Sequence, residues 1–122
     1  MQRQNFVVEE AAALASRLKH RLIKKDWTIS TAESCTGGMI SSLLTDISGA
    51  SAWFKQGWIV YSNESKMREL GVESPAFDEG GHGAVSHKVA VQMARGARYK
   101  SGSNISIAVT GIAGPGGSSE NK

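Results

Sequence analysis

The chain contains few of the residues that define several large classes of protein. It has one cysteine and two prolines among 122 residues, and its 40% hydrophobic content is spread over short runs. A single cysteine excludes an internal disulfide and a CxxC metal or redox motif, and it fits a reducing compartment. No apolar run is long enough to span a bilayer, and the N-terminus lacks the pattern of a signal peptide. We therefore expect a soluble, cytoplasmic protein without a membrane partner.

Charge of neither sign dominates, since fourteen Lys and Arg residues against eleven Asp and Glu leave a net charge of +3. The densest basic run lies in one predicted helix and consists of Arg17, Lys19, His20, Arg21, Lys24 and Lys25. Nucleic-acid-binding domains usually combine such a run with aromatic residues on a groove-facing element, and no aromatic lies within this run. The run is more typical of the solvated face of an amphipathic helix, so we expect no nucleic-acid partner. A modest positive charge would still attract an anionic substrate.

Hydrophobic periodicity predicts that helices alternate with strands along the chain. The predicted helices cover residues 7–24, 39 to just before Gly49, 63–70 and 87–100, and the predicted strands cover 27–32, 55–62 and 105–109. Asn63 and Ser86 are the predicted caps of the last two helices, and Gly71 is a predicted stop signal. This alternation is typical of an α/β fold with a largely parallel sheet.

Two of the predicted strands end in loops rich in glycine, serine and threonine. The first loop follows residues 28–32 and opens a helix, and the second follows residues 105–110. In open α/β sheets, ligands bind beyond the carboxyl ends of the strands, and a helix N-terminus suits a phosphate or a developing oxyanion. Neither loop matches the P-loop, the dinucleotide-binding GxGxxG or the nucleophile-elbow GxSxG pattern. The pattern therefore disfavours a P-loop ATPase and an α/β-hydrolase.

Several side chains near these loops are chemically competent, but each has a plain alternative. Ser34 is a candidate nucleophile, although spacing alone favours a helix cap, and Cys35 is equally well a small buried residue. Lys66 lies near the start of a helix, where the dipole and partial burial lower the pKa of a lysine and suit it to act as a general base. Most lysines, however, are surface residues. His82 and His87 lie on different elements without a third ligand, so we expect no metal site.

Six short motifs, taken in order, resemble one known family. They are TAESCTGG at 31–38, TD at 45–46, SAWF at 51–54, YSNE at 61–64, HGAVS at 82–86 and TGIAGP at 110–115. Over residues 7–122 the chain resembles the C-terminal domain of the competence/damage-inducible protein CinA, whose stand-alone form is a nicotinamide-nucleotide amidase. The combination of the first and last motifs is the most specific part of this resemblance.

The resemblance implies a three-layer α/β/α sandwich with a mostly parallel mixed sheet, in which residues 1–122 form one domain. Because the glycine-rich tail follows the last predicted strand directly, we expect a C-terminally truncated form that lacks the family's last strands and closing helix. The implied reaction converts nicotinamide mononucleotide to nicotinate mononucleotide and ammonia, without a metal or organic cofactor. The family's catalytic residues fall on Ser34 as nucleophile, Lys66 as base and Tyr61 as an assisting hydroxyl. Oxyanion or substrate contacts are expected from Cys35, Thr36, Gly37, Gly38, Thr110, Gly111 and Gly114.

The implied partner is a small-molecule nucleotide substrate, and a homodimer is compatible with the family. A second interpretation is a non-catalytic CinA-like paralogue that binds a nucleotide or a protein partner through the same cleft. A third, a DNA-associated module, rests only on the sequence pI of about 9.2 and on the competence label of the family. Salt-sensitive binding to duplex DNA would distinguish it.

Overall fold

The structure is a computed structural model that describes residues 2–78, 83 and 85–111, with side chains from residue 9 onward. The elements in chain order are α1 (Gln2–Lys25), β1 (Ile29–Glu33), α2 (Met39–Thr45), a short 3-10 helix (Ala50–Ala52), β2 (Phe54–Ile59), α3 (Asn63–Leu70), α4 (Ser74–Asp78), α5 (His87–Ser101) and β3 (Ile105–Val109). This order confirms the predicted α/β class and each of the three predicted strands. His82 and Gly114 lie outside the described residues.

The three strands form one sheet in the order β2–β1–β3, with β1 in the centre. Both pairings of β1 are parallel, and Glu33 at its end lies opposite Ile59 of β2 and Val109 of β3. The sheet implied by the resemblance is mixed, whereas its described part is parallel throughout. Because parallel strands end at the same edge, the segments that follow β1, β2 and β3 are brought together there.

Helices cover both faces of this sheet, which confirms the three-layer arrangement. The residues that pack one face against α3, α4 and α5 are Ala32, Val60, Leu70, Val72, Ala76, Phe77, Val89, Met93 and Ala97. Those that pack the other face against α1 and α2 are Ala15, Leu22, Ile29, Leu44, Ala50 and Trp53. All five residues of β1 are buried, as expected for a strand covered on both sides.

The buried stripes of the helices are narrower than the hydrophobic pattern predicts. Leu14 and Met39 were expected to face the core, but both are exposed. Leu14 lies one residue before the buried Ala15, which turns it about 100° away from the sheet. The basic residues of α1 are largely exposed, in agreement with a solvated face. Within the described ranges, no helix is long and apolar enough to cross a membrane.

Local signals set the ends of α3 and α5. Ser62, and not Asn63, caps α3, since its hydroxyl accepts a hydrogen bond from the Ser65 amide at 3.0 Å. The cap therefore lies one residue earlier than predicted. Gly71 ends α3 in the left-handed conformation, with a φ of 72°, as its position after the helix indicates. Ser86 caps α5 in the way predicted.

The helix α5 packs closely against the end of α3 at Gly96. A Cβ atom at this position would collide with the main-chain carbonyl oxygen of Leu70, which cannot rotate away. Gly96 therefore allows the two helices of one layer to pack backbone against backbone.

We expect Gly96→Ala to lower the free energy of unfolding by about 1–3 kcal/mol, because the added methyl group overpacks this contact. In an open helix the same substitution would stabilise by about 1 kcal/mol, since alanine is the better helix former. Chemical denaturation of Gly96→Ala beside Arg95→Ala, an exposed neighbour, measures the difference. A more stable Gly96→Ala protein would show that the helices are not so closely packed.

Candidate active site

Ser34 follows β1 directly, at the carboxyl edge of the sheet. Its amide donates a hydrogen bond to the Val109 carbonyl at 3.0 Å, and the preceding Glu33 carbonyl accepts one from the Val60 amide at 2.8 Å. These two bonds continue the pairing of β1 beyond its end on both sides. The main chain that carries the Ser34 hydroxyl is therefore held by both neighbouring strands.

Lys66 of α3 lies against Ser34. Its Nζ atom is 2.9 Å from Ser34 Oγ and 2.8 Å from the Tyr61 carbonyl oxygen. The Ser34 hydroxyl is in turn 3.3 Å from the same carbonyl. Lys66 is fully buried, and no carboxylate forms an ion pair with it in the part of the chain that the structure describes. The arrangement places a hydroxyl, an amine and a carbonyl acceptor within hydrogen-bond distance of one another, which is the geometry that a serine nucleophile and a lysine base would need.

Burial lowers the pKa of Lys66, because the ammonium form loses its hydration, and the neighbouring Cys35 acts in the opposite direction. A lowered pKa agrees with the prediction, and burial is its main cause. Lys66 is the fourth residue of α3, and its complete burial accounts for the shift. A lysine with a lowered pKa is neutral more often at a given pH, so it can accept a proton from Ser34.

The structure brings the main chain of Tyr61 into the site. Its carbonyl oxygen is the common acceptor for Lys66 and Ser34, whereas its side chain is 71% exposed. The carbonyl holds the amine of Lys66 in position beside the Ser34 hydroxyl. Assistance from the Tyr61 hydroxyl, which the resemblance implies, stays a prediction.

A tight turn connects Ser34 to α2. The Gly37 amide donates to the Ser34 carbonyl at 3.1 Å, and Gly37 and Gly38 have φ values of 60° and 109°. These values lie in the left-handed region that glycine adopts without a steric cost. Among the described residues, the amides of Cys35, Thr36 and Gly38 have no hydrogen-bond partner. Among the residues expected to make oxyanion or substrate contacts, Gly37 therefore already uses its amide within the turn.

The carboxylate of Glu33 closes this turn onto the start of α2. One oxygen accepts from Thr36 Oγ1 at 2.7 Å and from the Ile40 amide at 2.8 Å. The other accepts from the Ser41 amide at 2.9 Å and from the Ser41 hydroxyl at 2.6 Å. Glu33 is fully buried, and these four bonds fill its acceptor positions. The helix is thus capped by Glu33, and the preference for Ser34 as a cap was wrong.

Burial alone would raise the pKa of Glu33, but hydrogen bonds from Ser41, Thr36 and the Ile40 amide outweigh it and bring the pKa below its ordinary value of 4.5. Glu33 is therefore an ionised, buried carboxylate at neutral pH. Glu33 is not among the site residues predicted from the sequence, although an acidic residue that ends a strand just before a helix starting with glycine is a usable signal. Carboxylates at helix starts satisfy free amides.

The loop after β3 reaches the same edge. A Cβ atom on Gly111 would lie 3.5 Å from Cys35 Sγ, which places this glycine beside the turn that follows Ser34. Thr110 is half-buried just before it. The structure thus brings Gly111 next to Cys35, as the two converging loops predict. In the described ranges, no group of three or more His, Cys, Asp or Glu side chains could hold a metal ion.

We expect Glu33→Gln to lower the free energy of unfolding at pH 7 by about 2–4 kcal/mol, because an amide nitrogen would face backbone N–H donors. The folded pKa of Glu33 lies below its unfolded value, so its contribution is present above about pH 4.5 and is lost as the pH falls through the folded pKa. Urea denaturation of both proteins at pH 7 and in acid measures this. A difference that does not shrink in acid would contradict the role of the charge.

The fold and the site together define an α/β/α domain with a buried serine–lysine pair at the carboxyl edge of a parallel sheet. The chain belongs to the CinA C-terminal domain family, whose model matches residues 11–122. This confirms the family that the six motifs indicated.

Similar proteins agree with this assignment. A CinA-like protein of Shewanella baltica is 47% identical over 116 residues, which cover 95% of this chain and 27% of that protein. A protein named nicotinamide-nucleotide amidohydrolase PncC, of Shewanella oneidensis, has the same identity and coverage. The crystal structure of the competence/damage inducible protein CihA from Agrobacterium tumefaciens has a TM-score of 0.85 and 46% identity, over 92% of this chain and 67% of that chain. The chain therefore spans about a quarter of the length of these curated relatives.

Proposed function

We propose that this chain is an amidohydrolase domain that converts nicotinamide mononucleotide to nicotinate mononucleotide and ammonia. The observation that carries the proposal is the 2.9 Å contact between Ser34 Oγ and Nζ of the buried Lys66. The substrate class is taken from the name of the Shewanella oneidensis relative. The net charge of +3 favours an anionic substrate of this kind.

The first half of the reaction acylates Ser34. Neutral Lys66 accepts the hydroxyl proton as Ser34 Oγ attacks the carboxamide carbon, and the Tyr61 carbonyl keeps the lysine amine in line. The substrate oxygen gains negative charge and accepts hydrogen bonds from the amides of Cys35 and Thr36, which have no hydrogen-bond partner among the described residues. Protonated Lys66 then donates its proton to the amide nitrogen, the C–N bond breaks and ammonia leaves.

The second half releases the acid. A water molecule attacks the ester carbon, and Lys66 accepts one of its protons. As the bond from that carbon to Ser34 Oγ breaks, Lys66 returns the proton to the serine, so one water is consumed and one carboxylic acid is formed. We assign the ribose phosphate to the loop that begins at Thr110 and Gly111, because Gly111 lies beside Cys35.

The amidase proposal is tested by measuring ammonia release from nicotinamide mononucleotide. We expect Ser34→Ala and Lys66→Ala each to lower kcat by about 1,000-fold or more, since nucleophile and base act as one unit. Ser42→Ala and Lys100→Ala are matched controls, because both side chains are exposed and lie outside the site. They should retain the activity of the unmodified protein.

Two outcomes would contradict the proposal. A folded protein that releases no ammonia from this substrate would favour the non-catalytic paralogue. Equal activity of Ser34→Ala and Ser42→Ala would show that the ammonia comes from another reaction.

The rate should also depend on pH through Lys66. Because the pKa of Lys66 is lowered from 10.5, kcat/KM should rise with pH, with a midpoint below that value. Above the midpoint the free amine is the main form, and the rate should level off. Below the midpoint the ammonium has no lone pair to accept the serine proton. A pH–rate profile measures this, and a rate that falls with rising pH across the same range would exclude Lys66 as the base.

A further inference from the structure

We infer that Glu33 is a positioning residue, which acts through Thr36 to fix the direction of the free amides beside Ser34. The inference rests on the proposed hydrolytic function and deepens it. Among the described residues, the carboxylate of Glu33 forms no hydrogen bond with the Ser34 hydroxyl or with Lys66. Its effect on the reaction would be carried by the turn that joins Ser34 to α2.

The link between Glu33 and the turn is a single short hydrogen bond. Thr36 Oγ1 donates to a Glu33 oxygen at 2.7 Å, and that same oxygen accepts the Ile40 amide at 2.8 Å. One carboxylate oxygen therefore ties the middle of the turn to the first residues of α2. Thr36 also carries one of the two free amides assigned to the oxyanion, so its side chain and its amide move together.

The other carboxylate oxygen is braced from behind. It accepts from the amide and hydroxyl of Ser41, and Ser41 Oγ lies 2.7 Å from Thr31 Oγ1. On the far side, β2 has a glycine at position 57, where a Cβ atom would lie 2.6 Å from Thr31 Oγ1 and 2.8 Å from Ser41 Oγ. The hydroxyl pair is thus packed directly against the main chain of β2. The carboxylate is held relative to β1, β2 and α2 at once.

The turn needs this support, because its two glycines allow many main-chain conformations. Gly37 and Gly38 adopt left-handed conformations, and Gly38 at the helix start has no side chain to cap the helix. Glycines restrict the main chain least of all residues. Oxyanion donors must keep their direction, since a misplacement of about 1 Å lowers a rate by about 100-fold.

If the role of Glu33 is purely structural, its loss should change stability and leave the reaction rate unchanged. Substitutions of Thr36 distinguish this structural role from a positioning role. Thr36→Val removes the bond from the turn to Glu33 but leaves the bonds from Ile40 and Ser41 in place. Thr36→Ser retains the hydroxyl. Thr45→Val is the matched control, because it replaces another threonine hydroxyl of the same segment, one bonded at 2.8 Å to the Ser41 carbonyl and exposed.

Two rates are measured on each variant, together with its melting temperature. The first is ammonia release from nicotinamide mononucleotide, resolved into kcat and KM. The second is the labelling of Ser34 by a fluorophosphonate probe, followed by mass spectrometry. In this reaction the bond from Ser34 Oγ to phosphorus forms, fluoride leaves and Lys66 takes the serine proton. The phosphoryl oxygen needs the same amides as the oxyanion.

We expect Thr36→Val to lower both kcat and the labelling rate by about 10- to 100-fold, with KM changed by less than about 3-fold. Thr36→Ser should restore both rates, and Thr45→Val should keep both, because it leaves the bond between Thr36 and Glu33 in place. Unchanged rates in Thr36→Val, or losses equal to those of Thr45→Val, would overturn the inference. If the unmodified protein releases no ammonia but Ser34 is labelled, the substrate proposal fails, and the labelling rates still decide the role of Glu33.

Discussion

A strand that is covered by helices on both faces cannot leave a polar side chain without a partner, and β1 carries polar side chains at most of its positions. Ser30 is paired with Ser103 at 2.8 Å, and Thr31 with Ser41 at 2.7 Å. Both carboxylate oxygens of Glu33 accept hydrogen bonds, and the Ser34 hydroxyl lies within hydrogen-bond distance of Lys66 Nζ. An unpaired buried polar group lowers the free energy of unfolding by about 1–3 kcal/mol, so the fold depends on these pairings for its stability. The central strand thereby connects both helical layers to one edge of the sheet.

The two fully buried ionisable side chains near this edge are kept apart. Glu33 turns toward α2, whereas Lys66 comes from α3 in the opposite layer. An ion pair between them would hold the lysine in its charged form and raise its pKa. Instead, Glu33 is satisfied by amides and hydroxyls, and Lys66 is left with a serine and a carbonyl. Because the two groups are separated, Glu33 keeps a lowered pKa through its hydrogen bonds, and burial lowers the pKa of Lys66 without an opposing carboxylate among the described residues.

Regular elements were predictable from the sequence to the extent that a local pattern determines them. Alternation in β3 and the signals at Ser86 and Gly71 were sufficient, because each acts within a few residues. Leu14 and Met39 were assigned to buried faces wrongly, since the width of a buried stripe depends on the partner that covers it.

The site was less accessible to prediction than the fold. The resemblance, and not spacing, selected Ser34 and Lys66, because their distance depends on how α3 packs after β2. Tyr61 contributes its main-chain carbonyl to the site, and a carbonyl is present in every residue type. The identity of the Tyr61 side chain therefore gave no signal for this contact. Glu33 was missed because it accepts a hydrogen bond from the amide of Ile40, which lies seven residues further along the chain. Standard capping patterns join residues that are three positions apart.

The parallel sheet has a consequence for how this domain is made. β1 is complete only when β3 lies beside it, and the contact of Thr28 with Asn104 closes a loop of 76 residues. Pairings of such long range slow folding in general, since the entropy of closing the loop must first be overcome. The Ser34 amide donates its hydrogen bond to Val109 of β3. In a growing or partly unfolded chain the serine and the lysine are therefore ordinary side chains, and their contact forms only when β1, β2 and β3 are packed together with α3.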